Sequence, residues 1–160
     1  MKNHFLFLPL LFLIFSCSES VDSKNPLVDF NSSPNEWLLH GRTYAEERHS
    51  PLDQINTSNV DQIGLSWSFE TGTNRGHETT PIVKDGVMFI TAPWSVVHAL
   101  DAKTGDLLWT HDPQVERAWA NNACCDVVNR GVALYENSIF FGTLDGRLIS
   151  LDKDTGTENW

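Results

Sequence analysis

Basic residues are scarce in this sequence: 11 Lys and Arg stand against 21 Asp and Glu over 160 residues, a formal net charge of −10 at pH 7. Because a phosphate backbone is bound through Lys and Arg, this balance argues against nucleic acid as a partner and is compatible with a cationic protein partner. Cysteine is also scarce, and three cysteines cannot all pair within one chain. We predict no zinc site, because no ligand spacing links the irregularly placed histidines, which are His40, His49, His77, His98 and His111.

No apolar run reaches the ~20 residues that a membrane-spanning helix needs. The apolar residues 5–15 follow a short basic start and have the layout of a secretory signal. They lead into Ser16-Cys17, which with Ile14 is similar to a bacterial lipobox and would make Cys17 a lipidated N-terminus; ordinary signal cleavage nearby is the alternative. We therefore predict a secretion signal over residues 1–17, export to the periplasm with membrane attachment only through that lipid, and a flexible tether over residues 18–35.

Residues 36–160 contain an internal repeat. The segment Ala-Leu-Asp-Ala-Lys-Thr-Gly-Asp-Leu-Leu-Trp at residues 99–109 recurs as Ser-Leu-Asp-Lys-Asp-Thr-Gly-Thr-Glu-Asn-Trp at residues 150–160, so that Trp109 and Trp160 stand 51 residues apart. Both copies share an Asp-x-x-Thr-Gly pattern. In a turn of this kind, Asp and Thr hydrogen-bond back to the backbone, and Gly supplies a positive φ at no steric cost.

The two units, residues 80–109 and 131–160, follow the same order of β-rich segments. A short apolar strand leads through a turn at Asp85-Gly86 or Glu136-Asn137 into a second strand, a loop, a third strand ending in Leu-Asp, and a last strand ending in Trp. Four strands in about 50 residues are typical of a β-propeller blade. We therefore predict an all-β chain in which these units are the first blades of a propeller.

Blades must stack around an axis, because one blade alone buries only one face. The recurrence of Trp in one fixed frame predicts that Trp109 packs between neighbouring blades rather than within its own. A further strand is expected around Trp67, over residues 65–69. Since a propeller ring needs about four blades or more, we expect the sequence to be the N-terminal part of a longer protein.

Two adjacent cysteines precede the second unit. Neighbouring Cα atoms lie only about 3.8 Å apart across a trans peptide, whereas disulfides normally span ~4.4–6.8 Å. A bond between Cys124 and Cys125 would therefore strain the peptide within a small rigid ring, and two free thiols are the alternative. Arg130 stands just before the inner strand of this unit, where its planar cation would suit a carboxylate or lie solvated at the surface.

A carboxylate stands before the inner strand of the first unit. Inner strands of a propeller line the central channel, so Glu78 could reach a ligand on the axis. The repeat places Gly131 near the position that Thr80 holds one unit earlier, so the segments that carry Glu78 and Arg130 should lie at the same level of the ring. We predict a binding site there, although spacing alone does not identify the ligand.

Three segments together resemble the alcohol dehydrogenases that depend on pyrroloquinoline quinone (PQQ). They are Glu-Thr-Thr-Pro-Ile-Val at residues 78–83, Trp-Ser-Val-Val-His-Ala-Leu-Asp at residues 94–101, and Cys-Cys-Asp-Val-Val-Asn-Arg-Gly at residues 124–131. The likeness begins at Trp37 and continues through residues 41–52. Other propellers also use the repeated Trp, but the string with the paired cysteines is highly specific.

The resemblance implies an eight-bladed propeller with PQQ on its axis. It further implies that Cys124 and Cys125 form a vicinal disulfide against one face of the quinone, and that Glu78 and Arg130 make polar contacts to the cofactor. In this family the catalytic base, the ligands of calcium or a lanthanide, and the aromatic on the other PQQ face come from later blades. We therefore assign no catalytic residue and no metal ligand within this sequence.

The implied activity is the oxidation of alcohols to aldehydes by hydride transfer to PQQ, with electrons passed to a cytochrome c. The segment alone is expected to be inactive. The alternative is a non-catalytic propeller lipoprotein, a scaffold of the outer-membrane assembly type, which shares the signal, the lipobox and the Trp repeat. The paired cysteines with Arg130 and Glu78 favour the enzyme, because a scaffold has no need of a strained disulfide beside a channel carboxylate.

Overall fold

The structure is a computed structural model that describes residues 33–160. The predicted signal over residues 1–17, with the lipidation site Cys17, lies outside the described residues, as do residues 18–32 of the predicted tether. Within the described part, no helix has the length and apolar character needed to cross a bilayer. Its helical turns are three short 3-10 segments, Val60–Gln62, Pro93–Ser95 and Arg117–Asn122, and its other elements are strands, which confirms the all-β prediction.

The first unit folds into a four-stranded antiparallel sheet. Its strands pair in chain order, and we number them β1 (Ile82–Lys84), β2 (Val87–Thr91), β3 (Val97–Asp101) and β4 (Leu107–His111). In the register, Phe89 of β2 lies opposite Ala99 of β3, which lies opposite Trp109 of β4. The small Ala99 thus stands between two large aromatic side chains, and it is completely buried.

The second unit repeats this arrangement. Strands β5 (Ala133–Tyr135), β6 (Ser138–Gly142) and β7 (Leu148–Asp152) pair antiparallel in chain order. After β7 the chain turns back, so that Glu158 forms a bridge with Leu151 and the Ser150 N–H donates to the Trp160 carbonyl oxygen at 2.9 Å. Residues 158–160 therefore run where the fourth strand of the unit is predicted, and the two sheets are two blades built to one plan.

The Asp-x-x-Thr-Gly turns are held by the same bonds in both blades. The Oδ1 atom of Asp101 accepts the backbone N–H groups two and three residues ahead at 2.8 and 2.9 Å, and Oδ1 of Asp152 does so at 3.0 and 2.9 Å. The backbone N–H of Thr104, above all, lowers the pKa of Asp101, and the side chain and backbone of Thr155 lower the pKa of Asp152. Both carboxylates stabilise their turns in the ionised form.

The Trp109 indole packs on the turn of the following blade. Gly156 in that turn has a φ of 70°, and a Cβ atom at Gly156 would lie 2.6 Å from Cε3 of Trp109. The Trp109 Nε1–H donates to the carbonyl oxygen of Lys153 in the same turn at 3.2 Å. The predicted packing of this Trp between blades is confirmed, and it requires glycine beneath the ring.

Trp67 has the same relation to the first blade, because a Cβ atom at Gly105 would lie 2.5 Å from Cε3 of Trp67. The predicted strand over residues 65–69 is nevertheless wrong, since these residues form no strand in the structure. The physical reason is pairing: the ladder that would define this strand has no second member among residues 33–160. Trp67 therefore occupies the docking position of a terminal Trp without the rest of its blade.

The N-terminal described segment lies along the free edge of β1. Trp37 and Val83 exchange both backbone hydrogen bonds at 2.9 Å, and the Glu36 carboxylate accepts the Asp85 N–H at 3.2 Å. Lys84 adds an ion pair to Glu36 at 3.8 Å. The inner strand of the first blade is thus covered on its open side, which protects its unpaired edge.

The docking of Trp109 predicts that two glycines with similar backbone angles tolerate alanine differently. Gly86 has a φ of 78°, and a Cβ atom added there would have no neighbour within 4 Å, whereas a Cβ atom at Gly156 would overlap the indole. Both Gly→Ala changes cost about 1–2 kcal/mol for a left-handed conformation. We expect Gly156→Ala to cost a further ~1–3 kcal/mol for overpacking, measured by urea unfolding. Equal losses at both positions would contradict the docking.

Candidate functional site

The two segments that carry the predicted site residues are joined by their backbones. The Thr80 N–H donates to the Arg130 carbonyl oxygen at 3.2 Å. Gly131 has a φ of 119°, and a Cβ atom there would approach the Thr80 carbonyl oxygen to 3.0 Å. Both segments precede the inner strand of a blade, so the predicted convergence at one level of the two blades is confirmed.

Glu78 and Arg130 form an ion pair at this junction. The Arg130 Nε–H donates to Glu78 Oε2 at 3.1 Å, although 52 residues separate the two along the chain. The side chains are 79% and 42% exposed for Arg130 and Glu78, respectively. The described residues offer the terminal amino groups of Arg130 no further hydrogen bond, so these groups are turned to solvent and can bind an anion bidentately.

Cys124 and Cys125 lie beside this pair as two exposed thiols, with their sulfur atoms 2.8 Å apart. This separation is longer than the ~2.05 Å of a disulfide bond. The structure therefore places the two sulfurs in contact, and the disulfide between them stays a prediction.

The Cys125 thiol is electrostatically linked to the ion pair. The hydrogen bond with Cys124, and next the charge of that neighbour, raise the pKa of Cys125 above its ordinary value. The Glu78 carboxylate raises it further, whereas the Arg130 guanidinium lowers it. All four residues singled out from the sequence are thus brought within reach of one another.

A cavity of about 460 Å³ opens at this place. Its lining includes the paired cysteines and Arg130, Ser95 of the first blade, and Gly142 at the end of β6 with its two following residues. Glu78 is not among the lining residues and reaches the cavity through Arg130. The volume lies within the ~300–1,000 Å³ typical of small-molecule sites.

Asp126 holds the cysteine segment to the segment that precedes Glu78. Its carboxylate forms an ion pair with Arg75, and its backbone has a φ of 70°. The backbone N–H of Val127 is the main cause that lowers the pKa of Asp126, with Arg75 adding to it. The sequence-based prediction did not include Asp126. Its position directly after the cysteines was an available signal for a turn, because Asp tolerates the left-handed region.

Trp94 marks a strained point beside the cysteine segment. It has a φ of 68°, a genuine outlier for a bulky side chain, and the next residue, Ser95, has a φ of 61°. The Trp94 N–H donates to the Val127 carbonyl oxygen at 2.9 Å, and the guanidinium carbons of Arg117 and Arg75 lie 4.2 and 5.6 Å from its ring centroid. These contacts hold the loop between β2 and β3 against the cysteine segment.

His40, His77 and His98 have hydrogen-bond partners among the described residues. His40 Nε2 lies 2.9 Å from Arg48 Nη2, which can only donate, so Nδ1 carries the proton and donates to Thr80 Oγ1 at 2.8 Å. Burial, and secondarily His77, lower the pKa of His98. Within residues 33–160, no group of three or more His, Cys, Asp or Glu is arranged to hold a metal ion.

The two antiparallel sheets are blades of a β-propeller, and a guanidinium–carboxylate pair and two sulfurs lie where their inner strands begin. The family model described as "PQQ: Glucose/ethanol/alcohol dehydrogenase, beta-propeller domain" matches residues 37–159. The chain therefore belongs to the PQQ-dependent alcohol dehydrogenase family of β-propellers.

Individual members of this family are similar to the chain in sequence and in structure. The 1-butanol dehydrogenase (cytochrome c) of Thauera butanivorans is 56% identical over 125 residues, which cover 78% of this chain and 18% of that protein. The solved quinohemoprotein alcohol dehydrogenase ADHIIG of Pseudomonas putida matches with a TM-score of 0.79 at 52% identity, over 81% of this chain and 19% of that one.

A europium-containing methanol dehydrogenase matches with a TM-score of 0.78 at 41% identity, over 84% of this chain and 24% of that one. The chain thus spans under a fifth of the length of the curated relatives it matches, as the 18% for the Thauera protein shows. The similarity therefore covers about four fifths of this chain but only one part of each relative.

The electrostatics of Cys125 predict opposite effects of two neighbouring substitutions. In the reduced protein, Glu78→Gln should lower the pKa of Cys125, because it removes a negative charge, and Arg130→Gln should raise it, because it removes a positive one. Cys124→Ala should lower it most. The measurement is the pH dependence of Cys125 alkylation by iodoacetamide, with the labelled residue located by fragment mass spectrometry. Shifts of the same sign in the Gln variants would refute this geometry.

Proposed function

We propose that the protein to which this segment belongs is a PQQ-dependent alcohol dehydrogenase, which oxidises alcohols to aldehydes and passes the electrons to a cytochrome c. The observation that carries this proposal is the Arg130 guanidinium, held by Glu78 at 3.1 Å beside the two sulfurs of Cys124 and Cys125. This combination suits a flat cofactor with carboxylate groups, because it offers a fixed cation for the edge and a polarisable surface for the face.

The residues present fit PQQ. The exposed terminal amino groups of Arg130 match a carboxylate bidentately, and the exposed sulfurs offer a flat contact for a ring. Cys124 and Cys125 would be joined as a vicinal disulfide, since an exported protein is in a compartment where disulfides persist. The cavity of about 460 Å³ is wide enough for a small aromatic ligand with its polar edge against Arg130.

Bound PQQ would supply a quinone that accepts a hydride from the alcohol carbon. The role of this segment is to bind and orient. Arg130 would hold one edge of the cofactor, and Glu78 fixes the direction of Arg130. The contacting sulfurs of Cys124 and Cys125 would cover one face of the cofactor and exclude water from it. Holding reacting groups in place is itself a large part of catalysis, because the translational and rotational entropy is lost on binding and no longer adds to the barrier of the reaction.

The proton of the alcohol and the metal ion are handled elsewhere in this proposal. The family resemblance assigns the ligands of calcium or a lanthanide, and the catalytic base, to later blades. Within residues 33–160, no three or more His, Cys, Asp or Glu residues are grouped to hold a metal ion. The presence of europium in the named structural relative makes a lanthanide a real alternative to calcium.

The charge of the chain supports a cytochrome acceptor. A net charge of −10 would attract a basic cytochrome c at long range, and the Thauera relative carries a cytochrome c acceptor in its name. The proposed location is the periplasm, reached through the signal over residues 1–17, with a lipid on Cys17 as the proposed anchor. Alcohols and cytochrome c would both be accessible there.

The proposal predicts a specific loss on removal of the Arg130 charge. In the product of the complete open reading frame, Arg130→Gln should weaken PQQ binding roughly tenfold to a hundredfold, because a hydrogen bond to a charged group contributes about 1.5–3 kcal/mol. Binding is measured by equilibrium dialysis with calcium or a lanthanide present. Lys103→Gln is the matched control, because it also removes one positive charge, from an exposed turn that lies outside the cavity lining. Wild-type affinity in Arg130→Gln would contradict the proposed role of Arg130, whereas absence of PQQ binding by the unaltered protein would argue for the scaffold alternative.

The sulfur pair yields a separate prediction. Cys124→Ser should impair dye reduction by a primary alcohol in the PQQ-loaded enzyme while the melting temperature stays near that of the unaltered protein, because both cysteines are exposed. Treatment of the unaltered enzyme with dithiothreitol should reproduce the loss, and reoxidation should reverse it. Full turnover in the Ser variant would show that the cysteines have no part in the reaction.

A further inference from the structure

We infer that Asn129 is a positioning residue that fixes Arg130 between the two blades and so aims its guanidinium at the anionic edge of the cofactor. The inference rests on the proposed function. Asn129 stands directly before Arg130 and lines the cavity without adding a charge to it. The hydrogen bonds of its side chain reach both blades.

The Asn129 side-chain amide bridges the blades. Its Nδ2 donates to Ser95 Oγ of the first blade at 3.1 Å and to the Gly142 carbonyl oxygen at the end of β6 in the second blade at 2.8 Å. Both of its amide protons are therefore used. Ser95 is 1% exposed, so its hydroxyl relies on protein partners.

The backbone on both sides of Arg130 is held as well. Asn129 Oδ1 accepts the Gly131 N–H at 3.0 Å, which spans Arg130 in an Asx turn. The Asn129 carbonyl oxygen accepts the Thr91 hydroxyl at 3.2 Å, and the Arg130 carbonyl oxygen accepts the Thr80 N–H at 3.2 Å. The peptide units before and after Arg130 are thus fixed to the end of β2 and to the segment that leads into β1.

This anchoring matters because of the nature of the Arg130 side chain. It is 79% exposed and its one ion-pair partner among residues 33–160 is Glu78, so the direction of the guanidinium depends on where its Cα atom is held. A long side chain loses rotamer freedom when it binds a ligand, and a preset backbone reduces that loss. Sites that are displaced by as little as ~1 Å lose much of their effect.

The test compares the same substitution at two ends of one blade. Asn129→Ser keeps a short acceptor for the Gly131 N–H but cannot reach Ser95 and Gly142 together. Asn137→Ser is the control, because Asn137 donates to Asp152 at 2.9 Å in the turns at the far end of the strands. Each variant of the complete protein is titrated with PQQ, in the presence of calcium, well below its melting temperature.

We expect the PQQ dissociation constant to rise roughly tenfold to a hundredfold in Asn129→Ser, the range usual for residues that support a ligand contact, and to stay unchanged in Asn137→Ser. The pH profile of Cys125 alkylation in the reduced protein should move in Asn129→Ser toward that of Arg130→Gln. Wild-type affinity together with a wild-type alkylation profile in Asn129→Ser would overturn the inference.

One outcome separates this inference from the proposed function. If the unaltered protein binds no PQQ under any metal condition, the proposed function fails, and the Cys125 profile alone decides whether Asn129 positions Arg130. If Asn129→Ser does not fold, Ser95→Ala replaces it, because this change removes one of the two amide partners and leaves residues 129–131 intact. It should shift both readouts in the same direction by a smaller factor, and no shift would refute the inference.

Discussion

The contact between the Trp109 indole and the turn at Gly156 sets the spacing between the two blades, and the geometry of the site depends on that spacing. Because the indole ring lies directly on a glycine, the two blades cannot move closer together at this point. At the other end of the strands, the Thr80 N–H bonds to the Arg130 carbonyl oxygen. Because the blades are joined at both ends, Glu78 and Arg130 meet at 3.1 Å from positions 52 residues apart.

The same spacing between blades brings a cation and two sulfurs together in a chain that is otherwise strongly acidic. Few cations are present, and Arg130 is placed where its terminal amino groups face solvent beside two sulfurs. Glu78 directs the guanidinium of this residue, and Asn129 holds its backbone. A site of this kind is assembled from connections between blades rather than from the strands, which serve as a rigid support.

Much of this arrangement could be predicted from the sequence, because the repeat carries a register. The separation of Trp109 and Trp160 along the sequence established the equivalence of the two units. This equivalence placed Glu78 and Arg130 at one level of the ring. The strand at Trp67 could not be judged correctly, because a strand is defined by its partner and local β propensity does not reveal one. The role of Asn129 was equally hidden, since its amide bonds reach the loop after β2 and the end of β6, and no local pattern encodes such long-range contacts.

The central claim is that these side chains form one face of a PQQ site where the inner strands begin. A crystal structure of the complete protein with PQQ tests it most directly. The account predicts a cofactor carboxylate within hydrogen-bond distance of the Arg130 terminal amino groups, and the quinone ring lying flat on the sulfurs of Cys124 and Cys125. A complex in which the cofactor is bound elsewhere, with Arg130 still turned to solvent, would contradict it.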